Sequence, residues 1–162
     1  MDERLPHQMS STIVKGVTYA SDKTTVLDCL FCRIIAGKEP SSAITPPTPN
    51  PNLYAFKTIN PATSLHLLIS PVKHIKNVDA LTPSDLPLLE EMKAFGASML
   101  TEQQQKDALF VFHMPPWNSI DHLHLHVIAE RSTMTFFNGY FKYLPGTAWC
   151  QSVDSIITKL RR

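Results

Sequence analysis

The segment His122-Leu123-His124-Leu125-His126-Val127-Ile128 constrains this chain more than any other. Side chains of a strand alternate between faces, so the three histidines point one way and Leu123, Leu125 and Val127 the other. The leucine face can pack on a core, and the histidine face is expected to line a surface or cleft. Three imidazoles on one face cannot all be charged without repulsion, so some should be neutral near pH 7. A neutral imidazole is a good nucleophile toward phosphorus, and its neighbours can hydrogen-bond phosphate oxygens. Two other readings exist. A polar edge-strand face would more often carry Lys, Glu or Thr. A transition-metal site is the other, because imidazole is a common ligand. His66 is a fourth histidine that could share the site.

The remaining elements place this strand in a fold. Residues Met1 to about Asp28 are polar without sustained period and read as a mobile tail or loosely docked arm. Cys29 to Ala36 suits a short helix ending at Gly37. Residues 40–52 hold five of the thirteen prolines, which implies a turn-rich connection. Leu53–Phe56 and Leu65–Ser70 read as strands, with a turn at Asn60–Thr63 and a stop at Pro71. From Thr82 or Ser84 to about Gln105 the pattern is helical. Leu88, Leu89, Met92, Phe95, Met99 and Leu100 form the core-facing stripe. Leu109–Phe112 is a third strand, His113–Ser119 a loop, and His122–Ala129 a fourth strand. Val153, Ile156, Ile157 and Leu160 mark a short C-terminal helix capped by Ser152, its basic end suiting the helix dipole. Strands, one long helix, then more strands predict an α+β domain on a twisted antiparallel sheet of about five strands.

At 162 residues the chain has the size of one domain. Its formal net charge of +1 offers no basic stripe for nucleic acid. No apolar run reaches the roughly 20 residues that span a bilayer, and no secretory signal opens the chain. An odd count of three cysteines suits a reducing compartment, so a cytosolic or nuclear protein is expected. Cys29 and Cys32 have the spacing of many zinc sites, although two reduced, buried cysteines would look the same. Cys150 has no assigned role.

Taken with its flanks, His122 to Ile128 resembles the His-φ-His-φ-His-φ-φ signature of the histidine triad (HIT) superfamily. Cys29 to Gly37 looks like the family's opening. Tyr54 to Pro61 and His66 to Ile75 look like its middle strands. The loop Phe112 to Asp121, with His113-Met114-Pro115-Pro116-Trp117-Asn118-Ser119, is similar to a divergent subgroup of the Hint branch. The resemblance covers about Cys29 to Arg162 and implies a HIT domain over residues 29–162.

The resemblance also implies a chemistry. Family hydrolases form a covalent nucleotidyl-histidine on the middle histidine, here His124, and then hydrolyse it. His126 would bind phosphate oxygens, and His66 would orient the nucleophile. Ser119 would bind phosphate or assist the leaving group. Asn118 stands where many members carry glutamine. Some members hold a structural zinc through residues matching Cys29, Cys32, His74 and His122; catalysis needs no cofactor. Two departures stand out. Thr58 replaces an aspartate that binds the ribose hydroxyls, and a proline-rich loop with Trp117 replaces a glycine-rich one. The implied activity is cleavage of nucleoside 5′-phosphoramidates or related conjugates to a nucleoside monophosphate, in a homodimer with part of the interface on the long helix. A nucleotide-sensing binding module is the alternative. An aprataxin-like DNA deadenylase is disfavoured by the low net charge and the lack of an appended DNA-binding finger.

Overall fold

A computed structural model describes residues 11–46 and 48–162. Its centre is an antiparallel sheet of five strands: β4 (Leu53–Lys57), β5 (Leu65–Pro71), β6 (Leu109–His113), β7 (Leu125–Ala129) and β8 (Cys150–Ser152). The spatial order is β4-β5-β7-β6-β8. A smaller antiparallel sheet carries β1 (Thr12–Val14), β2 (Val17–Tyr19) and β3 (Val26–Cys29). The helices are α1 (Leu30–Ile35), α2 (Leu86–Ser98), α3 (Glu102–Asp107) and α4 (Val153–Leu160). The chain is α+β, as its pattern predicts.

The two faces of β7 divide as the alternation requires. Leu123, Leu125 and Val127 are buried in one cluster with Leu89, Met92 and Phe95 of α2 and with Val153, Ile156 and Ile157. Helix and sheet approach closely at Gly96, where a Cβ would lie 2.7 Å from Val127 Cγ2. Only a residue without that atom fits there. Fully burying side chains such as Leu125 and Leu89 contributes about 1.5–3 kcal/mol each.

Four local differences from the sequence reading have physical causes. First, β7 begins at Leu125 rather than His122. Continuing the register of Ile69 with Leu125 would set Pro71 opposite Leu123, and proline has no N–H to donate. The hydroxyl of Ser70 donates to the Leu123 carbonyl instead, at 3.1 Å, and the Leu123 amide donates to Ile75 at 2.7 Å. Second, the long helix ends at Ser98. Thr101 starts α3 with a capping box: its side chain accepts from Gln104 N–H while the Gln104 side chain accepts from Thr101 N–H. Third, β8 is an additional short edge strand that the reading missed. Fourth, the expected tail does not describe residues 12–28. They form the β1–β3 meander, turned at Lys15 and Gly16, both with positive φ (48° and 70°), the geometry of a two-residue hairpin. Val17 and Tyr19 of β2 are buried with Phe31 and Phe56. Residues 1–10 of that expectation lie outside the described residues.

Candidate functional site

The histidines gather where β5, β6 and β7 run side by side. His66, His113, His122, His124 and His126 are all buried. Burial is the largest cause that holds each below the ordinary imidazole pKa, with His66 at about 3 and His113 and His122 at about 4. His124 and His126 are also lowered. The expectation of neutral imidazoles is met, with the cause being desolvation more than mutual repulsion.

Neutral rings carry one N–H and one lone pair, so the hydrogen-bond network assigns the tautomers. The Ala62 amide donates to His66 Nδ1 at 3.0 Å. His66 Nε2–H must then donate to His126 Nδ1, at 2.9 Å. That leaves the proton of His126 on Nε2, a buried donor with no protein partner. His124 has the opposite tautomer. Its Nδ1–H donates to the His122 carbonyl at 2.6 Å, which leaves a lone pair at Nε2. One ring thus offers a lone pair at Nε2 and its neighbour a proton at Nε2. The rings lie 5.1 Å apart, centroid to centroid.

This arrangement corrects one assigned role. His66 does not bond His124; it fixes His126. Two residues unassigned in the sequence complete the cluster. His113 stacks on Tyr143 at 4.9 Å and lies 4.8 Å from His126, with its Nε2–H donating to the Lys142 carbonyl at 3.2 Å. The ring of Tyr143, far from His66 in sequence, lies 5.1 Å from both His66 and His126.

A cleft of about 600 Å³ opens beside this cluster. Leu30, Phe31, Ile34 and Phe56 contribute apolar lining, and Lys57, Ser119, His126, Lys142 and Tyr143 contribute polar lining. Thr58 also lines it. Of the three triad histidines His126 alone lines this cleft. His122 and His124 border a separate small space of about 10 Å³, and Ile120 lines both spaces. The expectation that the whole histidine face borders a cleft is corrected to that extent.

Ser119 is exposed in the cleft, but Asn118 is not a free substrate ligand. Its buried amide donates to the Asp121 carboxylate at 2.8 Å and to the Ile120 carbonyl at 3.1 Å, and its oxygen accepts from Lys15 Nζ at 2.8 Å. Asn118 therefore shapes the loop before the triad. The β1–β2 turn braces that loop: Lys15 Nζ also donates to the Pro116 carbonyl, and Asp121 N–H donates to the Lys15 carbonyl at 3.0 Å. Tyr19 adds a hydroxyl bond to Asp121 at 3.2 Å. Residues read as a tail thus support the site.

Cys29, Cys32, His74 and His122 converge, with donor atoms all within 4.8 Å of one another. His122 Nδ1 lies 3.4 Å from Cys29 Sγ and 3.6 Å from Cys32 Sγ; His74 Nδ1 lies 3.6 Å from Cys32 Sγ. Tetrahedral zinc with ordinary Zn–S and Zn–N lengths separates S and N by about 3.6 Å, so the set fits that ion. His122 Nε2–H donates to the Pro71 carbonyl at 2.9 Å, which turns the Nδ1 lone pair toward the thiols. Burial and Cys29 push the Cys32 thiol up to about 12; a bound cation would reverse that by favouring the thiolate.

The comparisons agree with this geometry. Residues 28–140 match the family model described as scavenger mRNA decapping enzyme C-term binding. The chain is 38% identical over 138 residues to the mouse (Mus musculus) protein named adenosine 5′-monophosphoramidase HINT3, covering 83% of this chain and 82% of that one. It is 38% identical over 108 residues to the Arabidopsis thaliana protein named bifunctional adenosine 5′-phosphosulfate phosphorylase/adenylylsulfatase HINT4, covering 62% and 69%. A solved HIT family hydrolase from Legionella pneumophila Philadelphia 1 superposes with a TM-score of 0.57 at 30% identity, over 69% of this chain and 100% of that one. With its triad running into β7 and this match over most of its length, the chain belongs to the histidine triad superfamily, in the Hint branch.

Proposed function

We propose that this protein hydrolyses nucleoside 5′-phosphoramidates, or related nucleotidyl conjugates, to the nucleoside monophosphate. The observation that carries this reading is the pair of opposite tautomers. His124 presents a lone pair at Nε2, and His126 presents an unpartnered N–H at Nε2. The base packs on the apolar lining of the cleft, and the phosphorus lies beside His126. His124 Nε2 attacks phosphorus, and the bond to the leaving group breaks. His126 donates to a phosphate oxygen where negative charge grows. Ser119 Oγ assists at the leaving group. Water then cleaves the phosphorus–nitrogen bond to His124 and releases the monophosphate.

Incubation with adenosine and guanosine phosphoramidates, following release of AMP and GMP, tests the activity. A protein that binds AMP but turns over neither substrate would instead be a nucleotide-binding module. Thr58 supports that second reading, because a hydroxyl cannot make the paired acceptor bonds of a carboxylate to ribose.

Three further points belong to the proposal. A structural zinc sits on Cys29, Cys32, His74 and His122 and orders the start of the triad; metal analysis of chelator-free protein checks it. The protein works as a two-fold dimer, read by sedimentation at tens of micromolar. Exposed apolar surface for such a contact lies on Phe136, Phe137, Tyr140 and Phe141, while the outward side of α2 carries Glu90 and Ala94. A cytosolic or nuclear location suits three free cysteines, and imaging of the tagged protein reports it. Among the described residues no helix is long and apolar enough to cross a membrane.

A further inference from the structure

We propose that Tyr143 is a further catalytic residue of this site: its phenol O–H donates to a non-bridging phosphate oxygen of the nucleotide, beside the Nε2–H of His126. The inference rests on the hydrolase reading above and adds a substrate contact to it.

Tyr143 is only 2% exposed, yet it lines the cleft together with His126. Three histidines hold its ring. It stacks on His113 at 4.9 Å with 29° between the planes, and it lies 5.1 Å from both His66 and His126. It shares a buried cluster with Val111, Ile128 and Cys150. Its main chain is tied down as well. The Tyr143 N–H donates to the Gly139 carbonyl at 2.9 Å, and the preceding carbonyl, of Lys142, accepts from His113. The phenol is therefore fixed in place.

This packing explains the ring but not the hydroxyl. A buried tyrosine O–H ordinarily finds a hydrogen-bond partner within the protein. Among the described residues that of Tyr143 has none, and it is not sealed from the cleft that Tyr143 lines. A phenylalanine would fill the same space without a desolvated hydroxyl. Burial holds the phenol above its ordinary pKa, and the nearby Cys150 adds to this. The hydroxyl thus keeps its proton at neutral pH and can donate it to a hydrogen bond.

His126 has the same property, since its Nε2–H is buried without a protein partner. Two fixed, neutral donors with neighbouring rings call for a ligand that offers two close acceptors, as a phosphate group does. The lysines of the cleft are different. Lys57 and Lys142 are both exposed, and an exposed lysine is a hydrated point charge on a flexible stem that fixes no position. Donors already in place stabilise charge as it grows on the phosphate oxygens during attack by His124 Nε2. Tyr143 itself transfers no proton and forms no covalent bond.

The test uses Tyr143→Phe, which removes the hydroxyl and keeps the ring on its histidines. Calorimetry measures the binding of AMP and of adenosine, and initial rates give kcat/KM for adenosine 5′-phosphoramidate. AMP should bind the variant about tenfold more weakly, the scale of one hydrogen bond to a charged group, while adenosine binds as it does to the wild type. The value of kcat/KM should fall about 10²-fold, the scale of one lost oxyanion donor. The Tm should equal or exceed that of the wild type, because the lost hydroxyl has no protein partner. Unchanged AMP affinity, equal weakening of AMP and adenosine, or a wild-type kcat/KM each overturns the inference while leaving the hydrolase reading intact. A lowered Tm also overturns it, by giving the hydroxyl a structural role. If the wild type turns over no phosphoramidate, the hydrolase reading fails. The comparison of AMP with adenosine then decides alone whether Tyr143 binds phosphate.

Discussion

The ring of His124 donates from Nδ1 to the main-chain carbonyl of His122 at 2.6 Å. The side chain of His122 faces Cys29 and Cys32 with its own Nδ1. The residue that would hold the metal thus supplies the oxygen that sets the tautomer of His124, the proposed nucleophile. Removing Cys32 or His74 should therefore act on catalysis at a distance. Cys32→Ser and His74→Ala are each expected to lose bound zinc and to lower kcat about 10–100-fold, the usual cost of a disturbed supporting shell. Zinc content and kcat measured on the same preparations check this; full activity without metal would separate the two sites.

Acid should destabilise the protein through its buried histidines. His66 at about 3 and His113 at about 4 are depressed from 6.5. Below pH 6.5 the unfolded chain binds protons that the folded chain refuses. Stability from these groups is therefore complete above pH 6.5 and is lost as pH falls toward 4 and then 3. Each group contributes a slope of about 1.4 kcal/mol per pH unit within its window. Tm should fall steadily from pH 6.5 to pH 4.5, and His113→Asn should flatten the slope. A Tm independent of pH over that range would contradict the assignment.

Gly16 has φ +70°, and a Cβ there would lie 2.9 Å from Ile120 Cδ1. Gly16→Ala is expected to cost about 1 kcal/mol or more, through left-handed strain and the contact. It should also displace Ile120, a side chain that lines both the cleft and the small space bordered by His122 and His124. Thermal melts read the first effect and KM for a phosphoramidate the second. A melt and a KM both like wild type would show that the turn does not brace the site.

Thr58 lines the cleft, where its hydroxyl accepts only a long 3.4 Å bond from Asn60 N–H. Thr58→Asp should tighten AMP binding about tenfold, since a carboxylate can pair with both ribose hydroxyls and each charge-assisted bond is worth about 1.5–3 kcal/mol. Calorimetry with AMP measures it. Weaker binding would place the ribose elsewhere.

What the sequence made legible is what repeats with a clear period or carries a distinct chemistry. The alternation of histidine with leucine through residues 122–127 predicted both faces, and Leu123, Leu125 and Val127 are buried against α2. Ser152 caps α4 as expected, accepting from Ser155 N–H at 3.1 Å. The Cys₂His₂ set came through resemblance, since nothing local ties His74 to Cys32. Strands β1, β2 and β8 are three residues each, too short for any period to show. The Lys15-Gly16 turn and the Thr101-x-x-Gln104 box were signals present but unread. His113 and Tyr143 could not be assigned to the site, because only the fold brings their rings together beside His126.

The central claim is that His124 forms the covalent bond to phosphorus. Rapid quenching of the wild-type protein during turnover of an adenosine phosphoramidate, followed by peptide mass spectrometry, tests it most directly. The adenylyl group should be found on His124 and on no other residue. His124→Ala should form no adduct and show no turnover while still binding AMP, since phosphate affinity is shared with His126 and Ser119. Turnover at the wild-type rate by His124→Ala, or an adduct on His126 instead, would contradict the account.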